Sequence, residues 1–340
     1  MVAAEAQRAK ELARQVVLAQ GNIFIKELLR EKGRIGATKE DFGRNLDAAI
    51  DDGTLRLADI QEWLQRVEGW GLQYIYLWQV PQTLAGQAKW RDAGTVPRAA
   101  RTAGLGEFWD APVAQAFPQT MTLTRLSYLD GRLLFEWHEA GSSWVREPAK
   151  DIPPRPEGDD IYRYDAYRQR GERSVMRFEF RPAQAVAAAF IPLPATTGAH
   201  TDALNQMFDS VDALVPRRQL VDFSVGQAIS RLDEAQLRAG SDFRTQTTRL
   251  SGQGAYVEFG STVPGHGYRE VDSIREVRLS VQPGSVAGNT ATIMFSAPAQ
   301  AGPARQVRVQ FYGQYGRIWV RAQMTAEQIW VLLDQIRSIA

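Results

Sequence analysis

Apolar residues recur at helical spacing through the first seventy positions of the chain. Over residues 3–19, Leu12, Val16 and an alanine-rich remainder are interleaved with Glu, Gln, Arg and Lys, which predicts an amphipathic helix that stops at Gly21. A second helix is expected at about 22–32, with Ile23, Ile25, Leu28 and Leu29 inward, Lys26, Arg30 and Lys32 outward, and Gly33 as terminator. The extended link Arg34-Ile35-Gly36-Ala37 leads to Thr38, a good N-cap with Asp41 three positions on. Phe42, Leu46 and Ile50 then repeat every four residues and predict a third helix closing near Gly53. Ile60, Trp63, Leu64 and Val67 mark a fourth, from about Leu57 to Glu68.

Beyond Gly69 and Gly71 the period changes. Gln73 to Val80 is rich in aromatic residues and lacks helix caps, which predicts a strand; 81–118 reads as connector or short helix. Thr122–Leu129 and Arg132–His138 flank Asp130-Gly131, a strong hairpin signal. Lys150 to Asp160, Pro-rich and acidic, is expected as an exposed loop. A second hairpin is expected from Ile161–Arg168 and Val175–Arg181, around Arg170-Gly171-Glu172. Ala185–Leu193 reads as a small-residue strand, followed by helices at about 200–215 and 226–238. Strands are then expected at Ala255–Phe259, Val277–Gln282, Thr290–Ser296, Gln306–Tyr312 and Arg317–Ala322. Thr325 and Gln328 form a capping box for a last helix to Ile339. No internal repeat is visible. The pattern predicts an α+β protein: an N-terminal helical bundle over 1–70, then a mixed, mainly antiparallel β region with packed helices over 71–340, with a further division to be looked for near 150–200.

Composition narrows the chemistry. The absence of cysteine excludes disulfides, thiol catalysis, iron–sulfur clusters and Cys-ligated zinc. His138, His200 and His266 stand far apart, so no histidine metal site is expected, and no cofactor motif is present. Gly252-Gln253-Gly254 and Gly265-His266-Gly267 lack the strand-to-helix context of a phosphate loop and read as turns. The carboxylate pairs Glu136/Glu139 and Asp159/Asp160 lie in hairpin and Pro-rich surroundings where solvation, not acid–base work, is the expectation. No catalytic residue is assigned. No stretch reaches the roughly 20 apolar residues that span a bilayer, so no membrane partner is expected. Met1–Glu5 has no charged leader, and the expected location is the cytoplasm. The net charge of +1 means that any polyanion-binding surface has to be local.

The segment from Ile25 to Leu46 resembles the SAP family: paired leucines on one helix, a Gly turn, then Ala37-Thr38-Lys39 opening a second helix. That resemblance implies DNA binding, with Lys26, Lys32, Arg34, Lys39 and Arg44 lining the contacting face and the amides around Thr38 and Lys39 offered to a phosphate. Across residues 22–80, ending in Trp70-Gly71-Leu72-Gln73-Tyr74-Ile75-Tyr76-Leu77-Trp78, the chain is also similar to the N-terminal part of CENP-N-type kinetochore proteins. That family binds nucleosomal DNA and histones without catalysis, through a helical bundle ahead of a strand-rich domain. The bland alternative for the cationic set is a solvated face neutralised by Glu27, Glu31 and Glu40. The run Tyr74–Trp78 could stack bases, or half its rings could enter a core.

Two functions follow as expectations. The first is a non-enzymatic DNA-binding or DNA-associated assembly protein, located on nucleoid or chromatin, whose helical module touches phosphates. The second is a protein-interaction adaptor or sensor subunit of a multi-protein system such as antiviral defence, since residues 1–60 carry ten bases and ten acids. A carboxylate-dependent metal nuclease would need acidic side chains to converge in the fold.

Overall fold

A computed structural model of the chain describes residues 3–90, 92, 94–111, 117–192, 199–235, 243–252, 255–261, 267–270, 276–277, 287–297 and 305–339. Four helices open it: α1 (Ala3–Gln15), α2 (Asn22–Glu31), α3 (Lys39–Asp51) and α4 (Leu57–Val67). They bury one core that includes Leu12, Val16, Phe24, Ile25, Leu28, Leu29, Phe42, Leu46, Ile50, Ile60, Trp63 and Leu64. Ile23, expected inside, is exposed, and Phe24 takes its place. Residue 24 follows the inward Ile25/Leu28 face at helical spacing, and residue 23 falls one step round it.

The remainder is built on an eleven-stranded antiparallel sheet, so the α+β class holds. Its strands are β1 (Gly71–Gln79), β2 (Thr122–Leu129), β3 (Arg132–Arg146), β6 (Tyr167–Arg181), β7 (Val186–Pro192), β8 (Val221–Asp222), β9 (Phe243–Gly252), β10 (Ala255–Gly260), β11 (Ala287–Ala297), β12 (Arg305–Tyr312) and β13 (Arg317–Gln323). The spatial order is β10-β9-β11-β12-β13-β1-β7-β6-β3-β2, with β8 paired to the far end of β1. A separate hairpin, β4 (Ile152–Glu157) with β5 (Asp160–Tyr164), sits between β3 and β6. Shorter helices α5 (Gln82–Ala85) and α6 (Val96–Thr102), then α7 (Ala199–Val211), α8 (Val225–Ala235) and α9 (Ala326–Ile339), cover the sheet.

The two faces of the sheet are covered on opposite halves. Ile75 and Leu77 of β1 point into a core shared with Val309, Phe311, Ile318, Val320, Ile329 and Leu333, beneath α8 and α9. Trp78, with Tyr76 at its edge, points the other way, into a core with Phe135, Trp137, Phe178, Phe208 and Met207, beneath α7. Alternation along a strand produces this division.

The halves repeat. On either side of β1 a hairpin passes through a single 3-10 turn and leads to a helix: β6, Pro182–Gln184, β7 and α7; then β12, Gly313–Tyr315, β13 and α9. The residue entering each turn has nearly the same backbone, Arg181 at φ −117, ψ 80 and Tyr312 at φ −126, ψ 88. The residue leaving each is left-handed, Ala185 at φ 51 and Gly316 at φ 60. The sequence shows no repeat because the matched positions share geometry and polarity pattern, not residue type.

Several expected elements differ. The Arg170–Glu172 hairpin does not form; β6 runs unbroken from Tyr167 to Arg181 against β3, with Arg146 opposite Tyr167 and Leu133 opposite Phe180. The Pro-rich Lys150–Asp160 segment, expected as loop, supplies β4, and it is exposed as expected. β9 was not anticipated. Its small and polar Thr245, Gln246, Thr247 and Thr248, with a bulge against β11 between its Thr245 and Thr247 partners, break the alternation that would have marked it. Of the expected Val277–Gln282 strand only Val277 is described, and it is helical, not extended; Gln253-Gly254 and Gly265-His266 lie outside the described residues.

Candidate nucleic-acid interface

On the C-terminal half, among the described residues, the face of the sheet turned away from α8 and α9 carries no helix except the start of α7, whose His200 reaches the β1 edge. Register places three rows of side chains there. One runs Tyr76, Arg317, Tyr312, Thr290, Arg249, Glu258; the next runs Tyr74, Trp319, Gln310, Thr292, Thr247. A third holds Arg321 and Arg308, one alternation beyond Trp319 and Gln310, with Met294 and Arg244 paired onward from Arg308. Strand and row spacings of about 4.8 Å and 6.7 Å make this a shallow platform tens of ångströms across.

The aromatic and cationic groups are interleaved. The Arg317 guanidinium lies 4.5 Å from the Tyr74 ring centre, 5.0 Å from Tyr312 and 4.9 Å from Tyr315. Arg321 stands 4.4 Å over Trp319, and Arg249 3.6 Å over Tyr256. Arg244 has Glu270 at 3.6 Å. Among the described residues, Arg308, Arg317 and Arg321 have no carboxylate at ion-pair distance.

Arg317 also donates to Nε2 of His200, at the start of α7. That bond requires a neutral imidazole, and burial, reinforced by the Arg317 charge, holds the His200 pKa below its ordinary value. Burial pushes the Tyr76 phenol up against the opposing influence of Arg317, and burial likewise raises Tyr312. Both phenols therefore remain neutral donors at physiological pH.

The six residues singled out in the helical module come together around α2 and α3, but mostly in ion pairs and caps. Lys32 faces Asp59 at 3.9 Å, Arg34 pairs with Asp52, and Arg44 with Asp41 at 2.5 Å. Lys39 Nζ donates to the carbonyls of Leu18 and Gln20 at 2.7 and 2.6 Å. Thr38 caps α3 by accepting from the Asp41 amide, while the Asp41 carboxylate accepts from the Thr38 amide, both at 3.1 Å. The anion seat at the start of α3 is thus filled by Asp41, whose pKa falls to about 2 through bonds from Thr38, its side chain foremost, and from Arg44. Lys26 is exposed. The acids that pair with Lys32, Arg34 and Arg44 are aspartates on α4, the loop between α3 and α4, and α3.

The repeat explains what distinguishes the open face. In the N-terminal half the equivalent surface is also polar but covered. There Arg177 binds Glu136 at 2.8 Å and the Glu68 carbonyl, and Arg173 binds the Glu68 carboxylate at 2.7 Å. His138 contacts Glu136 at 3.0 Å, and Arg181 pairs with Glu179 at 2.7 Å. Trp70 and Trp330 cap Arg177 and Arg181, at 4.7 and 3.5 Å. Among the described residues, Arg308 of β12 and Arg317 and Arg321 of β13 carry no such acids.

Glu136, one of the candidate carboxylates, is therefore a buried counter-ion. Asp159 and Asp160 lie exposed on the β4–β5 hairpin. Among the described residues no three His, Asp or Glu side chains converge as metal ligands. A cleft of about 680 Å³ beside β1 and β8 holds one carboxylate, Asp222, and no histidine among its described lining residues. No described helix is long and apolar enough to cross a membrane. No protein-family model and no curated protein matches the chain.

Proposed function

We propose that this protein is a non-enzymatic DNA-binding protein, working in a DNA-associated assembly, and that its nucleic-acid surface is the open face of the C-terminal half-sheet. The observation that carries the reading is the interleaving of Arg244, Arg249, Arg308, Arg317 and Arg321 with Tyr74, Tyr76, Tyr312, Trp319 and Tyr256 on one face that, among the described residues, only the start of α7 adjoins. Arginines neutralise phosphates, and rings and guanidinium planes stack bases. A sheet face presents no helix to a major groove but suits unstacked bases, which favours single strands over duplex. A net charge of +1 is compatible with this because acids of the helical module and the covered half are engaged in ion pairs there, and on the platform Glu258 and Glu270 stand on the β9–β10 side, away from Arg308, Arg317 and Arg321.

Fluorescence anisotropy with a labelled single-stranded DNA and its duplex, at about 50 mM salt, tests the assignment. The wild type is expected to prefer the single strand. Arg308→Glu/Arg321→Glu is expected to weaken binding at least about tenfold and to flatten the salt dependence by about two phosphate contacts. Lys32→Glu/Arg34→Glu/Lys39→Glu is expected to bind like the wild type. If the sheet variant retains full affinity, or the wild type binds neither oligonucleotide, the reading is lost. Loss in the module variant alone would return the contact to α2 and α3.

A second reading, the protein-interaction adaptor, is favoured by one feature that nucleic acid does not explain: the exposed aromatic and aliphatic side chains around β4 and β5. Capture of a protein partner that survives nuclease digestion would support it.

A further inference from the structure

We propose that copies of this chain associate head to tail, the acidic tip of the β4–β5 hairpin of one copy docking on the open arginine face of the next. The inference shares that face with the nucleic-acid reading but does not depend on it.

The geometry begins with the length of β3 and β6. Their pairing continues past the sheet, from Ala140 opposite Arg173 to Arg146 opposite Tyr167. At about 3.3 Å per residue this ribbon carries the β4–β5 hairpin roughly 20 Å beyond the neighbouring strands. Arg146 fastens the hairpin to the ribbon by pairing with Asp151 and, at 2.8 Å, with Asp165. Every residue from Ile152 to Asp165 is exposed, so the tip is not packed against any described part of its own chain.

An arm of this kind is costly to keep bare. Two-stranded ribbons are marginally stable alone in water. This one also exposes Trp144 at 67%, Ile161 at 76% and Tyr167 at 53%. Isolated apolar residues on a surface need no explanation, but a cluster on one projecting element marks an interaction site.

Charge complementarity selects the occupant. The turn Glu157-Gly158-Asp159-Asp160 carries three carboxylates, and among the described residues none of them has a basic partner at ion-pair distance. The open face offers Arg308, Arg317 and Arg321 in the same unpaired condition, with Tyr74 and Trp319 between them to receive Ile161 and Tyr162. The covered half shows the same chemistry satisfied within one chain: Arg173 and Arg177 are met by Glu68 and Glu136, with Trp70 stacked on Arg177. Because tip and face are different surfaces, the contact is heterologous and builds chains or rings, not a closed two-fold pair. The carboxylates occupy the positions phosphates would take, so nucleic acid and a neighbouring arm compete for the platform.

Sedimentation velocity of the full chain at low salt, from about 1 to 100 µM, reads the association directly. The wild-type mass is expected to rise with concentration and to fall back to the monomer at about 0.5 M salt. Glu157→Arg/Asp159→Arg/Asp160→Arg and Arg308→Glu/Arg321→Glu are each expected to remain monomeric, while an equimolar mixture of the two assembles again. All five positions are exposed, and circular dichroism melts check that both variants fold. The tip variant is further expected to keep single-stranded DNA binding, which separates failure of this inference from failure of the nucleic-acid reading. A wild type that is monomeric at every concentration, a tip variant that assembles like the wild type, or a mixture that stays monomeric overturns it.

Discussion

Glu136, Arg177 and His138 occupy successive outward positions on β3 and β6, beneath Trp70 and the end of α4, where water is excluded. Burial alone would push the Glu136 carboxyl up, but the guanidinium of Arg177, with His138 and Arg125, outweighs it and holds the pKa below the ordinary carboxylate range. A carboxyl with a depressed folded pKa stabilises the fold above its unfolded pKa and loses that contribution as pH falls. Acid unfolding is therefore expected to set in below about pH 4.3 and to shift toward neutral pH in Arg177→Met. Glu136→Ala, which strands a buried guanidinium, is expected to cost about 3–5 kcal/mol in urea titrations, whereas joint replacement of Glu136 and Arg177 by apolar residues costs far less. None of this cluster was legible in the sequence. Glu136 reads as one acid in an amphipathic strand; Arg177, which pairs with it, lies 41 residues away, and the Glu68 carbonyl that Arg177 also binds lies 109 residues from that arginine. Thr38 and Asp41 were legible, because a capping box is a contact three residues long.

Elements followed local signals wherever the stabilising contacts were local. The four N-terminal helices, the Asp130-Gly131 hairpin and the Thr325/Gln328 start of α9 all form within a few residues of their predicted bounds. Thr38→Ala is expected to cost about 1 kcal/mol, measured by chemical denaturation, through loss of the α3 cap. The two 3-10 turns give a matched test of the duplication. Gly316→Ala is expected to lower stability by about 1 kcal/mol, and Ala185→Gly, at the equivalent left-handed position, to be neutral or stabilising. The β region misled where strand partners were chosen at a distance. Residues 167–173 read as one limb of a local hairpin, yet they pair with 140–146, because extending β3 satisfies more backbone groups than a turn at Arg170-Gly171 would. β9, bulged and threonine-rich, has no period of its own and is held by β11 and β10.

At the scale of the whole molecule, the exposure of the β3–β6 arm predicts that it and the sheet unfold as separate cooperative units. Replacing residues 141–172 by Asn-Gly would join Ala140 to Arg173 through a two-residue turn. Because the removed segment is exposed almost throughout, the melting temperature is expected to change by no more than a few degrees. A large loss would mean that the arm contributes to the core. The amino-acid sequence by itself determined the helical module, the α+β class, the absence of thiol chemistry and the local caps and turns, since each depends on neighbours within a few positions. Only the tertiary structure decided which cations are free. Lys32, Arg34 and Arg44, grouped in sequence, meet aspartates of α4, the α3–α4 loop and α3, while Arg308, Arg317 and Arg321 share one sheet face with no carboxylate at ion-pair distance among the described residues. Coulomb energy depends on distance in space, and the register about β1, which no short stretch of residues contains, sets those distances and brings Arg308, Arg317 and Arg321 together.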